Sequence, residues 1–508
     1  MPSVTEAARP STAAPTRTAT AGLAVIAGLV ALVHILTNSR YGFHRDELQF
    51  LSDAKHLAWG YVAYPPLTAF VERLSLAIFG LNMVGLRLAS VLAVSAGIIV
   101  TGLMARELGG SRFAQIIAAF CVALSPLPLF EGTEFQYTTF DYLWWVLLAY
   151  CVIRLLRSEN PRWWLAIGLF AGLGVMTKYA ILFYIAGILL GFLLTRARRF
   201  LLSPCFAAAL VLTTLIALPN LLWQIHNHFI SFAFLQHIHI RDVGEGRAAG
   251  FLWQQFWLCA NLGSAPLWIA GLIAFLLSPR YRVLAWMFLI PVALFWITRG
   301  RGYYTAAAYP MVLAMGAVAA ERWLASLRPA FRLTTQALLF AAVSVCGVMM
   351  AAVIVPFASG GPLMRYALAN NGNLREEFGW NELVRTVAQL RDTLPPDQQA
   401  HLGITTGNYG EYGAIDVLGR AYGLPEPIGT TNSEWLRGYP ADPPTTIIAL
   451  GITPAQANQI FTNCRLAGHN GNSLGLRNEE STDHPWIFLC GPPRKPWAEV
   501  WKQHRDFG

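Results

Sequence analysis

The sequence predicts a mainly α-helical, polytopic membrane protein with a small α/β domain near its C-terminal end. Of its 508 residues, 55% are hydrophobic and only 13% charged, about half the roughly 25% charge of a soluble chain. Apolar stretches near the roughly 20 residues that a spanning helix needs recur over most of the first 356 positions. Beyond residue 357 the composition turns to Asn, Gly, Asp and Pro with short apolar runs. The net charge of +9 calls for no nucleic-acid partner, because arginines flanking membrane helices on one side produce the same excess.

Residues 1–20, rich in Ala, Thr, Pro and Ser, read as a disordered cytoplasmic N-terminus. The first apolar stretch runs into Thr37-Asn38-Ser39-Arg40 without a small-residue cleavage site, so it reads as a retained helix. Eleven spans are predicted, over 21–38, 84–105, 113–130, 142–157, 162–177, 180–195, 202–223, 264–278, 283–298, 305–320 and 333–356. Short loops carrying Arg106/Arg112, Arg154/Arg157/Arg162, Arg196/Arg198/Arg199, Arg280/Arg282 and Arg322/Arg328/Arg332 alternate with longer, more acidic ones. By the positive-inside bias the arginine side is cytoplasmic. The segments 39–83, 131–141 and 224–263 then lie outside, as does an extracytoplasmic domain over 357–508. Residues 21–356 read as the transmembrane domain.

Residues 46–60 and 66–80 mix apolar and charged positions as helices lying along the outer surface do, and 250–262, with Phe251, Trp253, Phe256 and Trp257, reads as a third. In the last segment, Trp380–Leu394 reads as an amphipathic helix and Ala400–Thr405 and Thr446–Leu450 as strands, the second followed by the helix starter Thr453-Pro454. Five of the seven cysteines lie in apolar stretches; Cys464 and Cys490 do not, and can pair if their domain is outside.

The polar groups at the outer face are the candidates for chemistry. His44-Arg45-Asp46-Glu47 follows the first span. A carboxylate there needs a partner or a cavity, and two readings are open: a general base, or acids at a helix N-terminus. Asp141 opens a spanning helix, with the same choice between capping and a second active-site acid; Glu131 and Glu134 precede it in the same loop. Arg299-Gly300-Arg301-Gly302-Tyr303-Tyr304 sets two arginines and two tyrosines on the side the inside bias disfavours, where guanidinium forks suit phosphate oxygens. Lys178 is a lone cation at another outer turn, and Tyr64 stands before Pro65-Pro66. His226 and His228, and likewise His237 and His239, are spaced i, i+2, which does not stack on a helix. His226 is therefore expected to hydrogen-bond substrate or to add plain interfacial polarity. No spacing specifies a metal site, and no cofactor is required; a divalent metal on Asp46, Asp141 and a histidine remains an open alternative.

Together, Arg45-Asp46-Glu47, Tyr64-Pro65-Pro66-Leu67, Arg87, Thr177-Lys178, Pro219-Asn220-Leu221 with Trp223-Gln224, and Tyr303-Tyr304 with Tyr309-Pro310 resemble the C-type membrane glycosyltransferases over about residues 21–330. Similarity is greatest to the bacterial group of protein O-mannosyltransferases, aminoarabinose transferases and lipopolysaccharide-core galacturonosyltransferases. The resemblance implies a GT-C-like bundle transferring a sugar from a polyprenyl-phosphate donor to a lipid, glycan or protein acceptor. Asp46 would then be base or acceptor-orienting residue, supported by Glu47 and Asp141. Arg45, Tyr64, Lys178, Arg299, Arg301, Tyr303 and Tyr304 would contact substrate. Some relatives carry lysine where this chain has Tyr64, so Lys178, Arg299 or Arg301 would supply the phosphate-binding charge. A transporter or flippase is the rival reading, because buried charges also mark translocation paths; the sequence shows no internal repeat of the kind transporters carry. A catalytically silent membrane scaffold is a third.

Overall fold

A computed structural model describes residues 17–508; most of the expected N-terminal segment lies outside the described residues. Each of the eleven expected apolar stretches falls on a helix: Thr20–Thr37, Met83–Glu107, Arg112–Ala123, Tyr137–Ser158, Trp163–Val175, Ile181–Leu193, Pro204–His226, Ala265–Leu277, Arg282–Ile297, Tyr309–Ala325 and Pro329–Ile354. By length and apolarity, six helices among the described residues are fit to cross a membrane, or up to eight if two sharply bent helix pairs each count as one span. Arg112–Ala123, Trp163–Val175 and Arg282–Ile297, with 12, 13 and 16 residues, fall short of the usual crossing length. The chain is thus multi-pass, with six spans or more.

Small residues set the tightest contacts in the bundle. A Cβ on Gly316 would lie 1.8 Å from the Leu267 carbonyl oxygen, and one on Gly271 1.9 Å from that of Val312. Backbone-to-backbone approach of this kind maximises van der Waals contact where lipid offers no hydrophobic drive.

The first surface helix forms, over Arg45–Lys55, but it does not lie open on the membrane. Nine of its eleven residues are buried. The apolar helices cover one side and the helix Tyr409–Leu418 covers the other, so close that a Cβ on Gly413 would lie 2.5 Å from the Leu48 carbonyl oxygen. The pattern of 46–60 reads as half-exposed because Asp53, Lys55 and His56 are polar; Asp53 and Lys55 instead meet charged partners in the C-terminal segment, as does the neighbouring Arg45. The second expected surface helix, Leu67–Phe79, keeps Leu74 and Ile78 exposed. The third is the short helix Phe251–Trp257.

The C-terminal segment contains strands β1 (Leu402–Thr406), β2 (Ile428–Gly429), β3 (Thr446–Leu450), β4 (Arg465–His469) and β5 (Trp486–Cys490). They form one sheet in the order β2-β1-β3-β5-β4. β1 runs parallel to β2 and β3, while β5 is antiparallel to β3 and β4. Ile404, Ile448 and Leu450 pack with Trp380, Leu383, Val387 and Ile415 on one face, and Leu48, Leu51 and Leu86 join the same core. Phe461, Trp497 and Trp501 fill the other face. Thr453 caps the helix Pro454–Ile460 as its sequence promised, and Cys464 is disulfide-bonded to Cys490.

Candidate functional site

Two neighbouring carboxylates on the first turn of the Arg45–Lys55 helix point in different directions, because successive helical residues diverge by about 100°. Glu47 turns inward to Arg87, which is 0% exposed. Arg87 donates from Nε to Oε1 at 2.8 Å and from Nη2 to Oε2 at 2.6 Å. The same carboxylate accepts from the backbone N–H of Phe135 at 2.8 Å and, as a cap, from that of His44 at 2.8 Å. Every lone-pair direction is spent, which removes Glu47 from the expected catalytic set and makes it a fixed structural ion.

Asp46 turns the other way. Its side chain is 29% exposed and lines a cavity of about 1460 Å³ between the helical bundle and the C-terminal domain. Gln136 Nε2 donates to Oδ2 at 2.8 Å, and the Tyr409 hydroxyl donates to Oδ1 at 2.9 Å. Burial pushes this carboxyl up, but His44, Arg45 and the two donors outweigh it and hold it below its ordinary range. Asp46 is therefore ionised, oriented and in reach of a ligand.

The cations occupy other parts of the wall. Lys178 Nζ sits 4.4 Å from the ring centroid of Tyr304 and 5.2 Å from that of Tyr137, and among the described residues no carboxylate lies within ion-pair distance. Arg299, exposed at the cavity mouth with φ 52°, also lacks an ion pair among them. Arg301 differs. It grips Asp242 of the helix Ile230–Gly244 through two hydrogen bonds of 2.6 Å, so its fork is spent there, although it lines the cavity with Tyr303 and Tyr304. Arg45 lines the cavity as well, yet it is ion-paired to Glu479 and stacked 4.6 Å over the Tyr409 ring. Tyr64 forms part of the wall with its hydroxyl donated to Asp53 Oδ2 at 2.5 Å.

Two expected site residues lie elsewhere. Asp141 is buried inside the Tyr137–Ser158 helix, where it accepts from Trp145 Nε1 at 3.1 Å one turn on, and it is absent from the cavity wall. His226 is exposed at the last turn of Pro204–His226, away from the cavity; His239 of the same histidine-rich stretch lines it instead. Among the described residues, no group of three or more His, Cys, Asp or Glu has metal-holding geometry.

The two donors to Asp46 were not foreseen. Gln136 stood in a loop read for its acids, and Tyr409 lies 363 residues away in sequence. The sequence beside Tyr409 offers only Asn408, a residue type that favours a helix cap, as it proves to be.

The helical bundle is roofed by the C-terminal α/β segment, and residues of both line the cavity. The fold matches ArnT from Cupriavidus metallidurans with a TM-score of 0.60 at 13% identity, over 93% of this chain and 98% of that one. It matches ArnT in its undecaprenyl phosphate-bound form at 0.59, with the same identity and coverage. The Archaeoglobus fulgidus oligosaccharyltransferase, in complex with Zn and sulfate, matches at 0.52 with 17% identity, over 78% of this chain and 61% of that one. Residues 63–223 match the dolichyl-phosphate-mannose-protein mannosyltransferase family. It is 28% identical over 229 residues to the lipid A galacturonosyltransferase RgtD of Rhizobium johnstonii, covering 44% of this chain and 47% of that protein. It is also 28% identical over 338 residues to an undecaprenyl phosphate-alpha-4-amino-4-deoxy-L-arabinose arabinosyl transferase of Pseudomonas fluorescens, covering 60% and 58%. The chain thus spans about half the length of the curated relatives it matches.

Proposed function

We propose that the chain is an integral-membrane glycosyltransferase that moves a sugar from a polyprenyl-phosphate donor to a lipid, glycan or protein acceptor. The observation that carries this reading is the division of charge in one cavity: the ionised, doubly held Asp46 in one part, and the unpaired cations Lys178 and Arg299 in another. In this reading Asp46 takes the proton of the acceptor hydroxyl as its oxygen bonds to the anomeric carbon. The bond from that carbon to the phosphate oxygen breaks, and polyprenyl phosphate leaves with the electron pair. Lys178 and Arg299 stabilise the charge on the departing phosphate. A single displacement inverts the anomeric centre.

Transfer is favoured over translocation by the relatives, which are named as transferases, and by the position of the cavity between bundle and C-terminal domain. The Cys464–Cys490 disulfide supports an extracytoplasmic C-terminal domain, since cytosolic thiols stay reduced. In this reading the site faces the outer side of the cytoplasmic membrane, with eleven crossings as the working topology. The test is transfer from a panel of labelled polyprenyl-phosphate sugars in membranes, comparing wild type with Asp46→Asn. Loss of transfer in a folded Asp46→Asn protein is expected. Full activity of that variant, or transfer from a nucleotide sugar without lipid, overturns the reading.

A further inference from the structure

The Asp46 carboxylate is held by donors from two different parts of the chain. Gln136 belongs to the loop ahead of the Tyr137–Ser158 helix, whereas Tyr409 is the first residue of the Tyr409–Leu418 helix in the C-terminal domain. Tyr409 stands at the carboxyl end of β1, which runs parallel to both its neighbours, the place where open parallel sheets present their functional side chains. Its ring is fixed as well as its hydroxyl. The Arg45 guanidinium lies 4.6 Å over the ring, and the same arginine is anchored to Glu479 of the C-terminal domain. Arg45 and Asp46 are adjacent, so ring and hydroxyl of one tyrosine are read by consecutive residues of one helix turn.

We infer that the C-terminal domain completes the active site, with Tyr409 as the positioning residue that aims the Asp46 carboxylate at the acceptor. This rests on the glycosyltransferase reading. Without the phenol, Oδ1 loses its donor, and the side chain keeps only the Gln136 bond to Oδ2, about which it can turn. The charged and titratable groups facing Asp46 are His44 and Arg45 beside it, Glu134 and Tyr137 from the neighbouring loop and helix start, and Tyr409 opposite. Tyr409 is the one among them that donates to the carboxylate through its side chain, so its removal raises the proton affinity of Asp46.

The experiment uses the full-length protein in proteoliposomes with a polyprenyl-phosphate sugar that the wild type transfers. Tyr409→Phe keeps the ring and the stack on Arg45 while deleting the donor. Losing a hydrogen bond to a charged group predicts a kcat lower by roughly 10-fold or more, KM for the donor unchanged, and the acid limb of the pH–rate profile moved up by about one unit. Asp416→Asn is the control. It breaks the 3.2 Å ion pair to Lys55 that also docks the domain, without touching Asp46. It should lower the thermal midpoint and leave the acid limb in place. A wild-type kcat and acid limb in Tyr409→Phe, beside a dead Asp46→Asn, overturn the inference and leave the glycosyltransferase reading standing. A lower kcat with an unmoved limb, or the same limb shift in Asp416→Asn, also overturns it by reducing Tyr409 to a docking contact. An active Asp46→Asn overturns both.

Discussion

Arg87 and Glu47 form a fully buried, two-bond ion pair at 2.6 and 2.8 Å, and a second carboxylate, Glu377, approaches the same guanidinium at 3.3 Å. Arg87 also donates to the carbonyls of Asn38 and Gly42, at 2.6 and 2.9 Å. One arginine thus ties together the end of the first span, the start of the second, the surface helix and the C-terminal segment. The two carboxyls are not equivalent. Glu47 already neutralises Arg87, so burial, with Glu47 nearby, pushes Glu377 up to about 8 despite the arginine, and Glu377 is neutral at pH 7.

That asymmetry gives opposite outcomes for two similar substitutions. Glu47→Gln leaves the Arg87 charge buried without its counter-ion, and the loss should reach about 3–5 kcal/mol, as for other broken buried pairs. Glu377→Gln replaces one neutral group by another and should hold or raise the thermal midpoint at pH 7. A carboxyl with a raised folded pKa contributes stability that is lost as pH rises from its unfolded value toward about 8. Glu377→Gln should therefore flatten the pH dependence of the midpoint over that window. Thermal unfolding in detergent across pH reads both effects, and equal destabilisation by the two variants would refute the assignment.

Asp46 titrates in the other direction. Its folded pKa is depressed, so its ionised form, and any activity that needs it, persists below the ordinary carboxylate range and is lost as pH falls through that lowered value. The acid limb of kcat/KM should accordingly lie below the ordinary carboxylate range. An acid limb near pH 6 to 7 would assign the essential base to another group.

Lys178 and Arg301 should separate binding from scaffolding. Lys178 has aromatic faces and, among the described residues, no ion pair, so Lys178→Met should raise KM for the donor roughly 10- to 100-fold, a fraction of the ~4 kcal/mol that a charge pair is worth at an effective dielectric of 20. Arg299→Ala should raise KM less and in a salt-dependent way, because its charge is exposed and screened. Arg301→Gln removes two short hydrogen bonds to Asp242, which keeps only its longer pairs with Arg247 and Arg241, and should lower stability before it changes KM. Steady-state kinetics with thermal unfolding on the same preparations distinguishes the three.

The helices were legible because an apolar stretch of that length has few other fates, and each expected span falls on one. What the pattern could not report was cover. The Arg45–Lys55 helix reads as half-exposed until Arg437, Asp416 and Glu479, all beyond residue 400, arrive to pair its charges. Asp46 and Lys178 were legible as charges with no local partner. Asp141 and Glu47 carried the same signal, and only three-dimensional neighbours, a Trp145 indole and the Arg87 fork, show that their valence is filled. Tyr409 carried no charge and no motif, and its role comes entirely from a contact across the fold.

The disulfide tests stability and topology together. Cys464 and Cys490 are 26 residues apart and hold the edge strand β4 onto β5. In the chain-entropy account, closing a loop of that size contributes about 3–4 kcal/mol. Cys464→Ser should therefore lower the unfolding midpoint of the C-terminal domain and bring activity loss to a lower temperature, while low-temperature kcat stays near wild type because neither cysteine lines the cavity. Reductant should reproduce the change in the wild type and add nothing to the variant. The same pair reports sidedness. An oxidised pair in freshly prepared membranes, read by maleimide labelling after denaturation without reductant, fits a domain outside the cytoplasm. Quantitative labelling of both thiols would place the domain, and the cavity beneath it, on the reducing side.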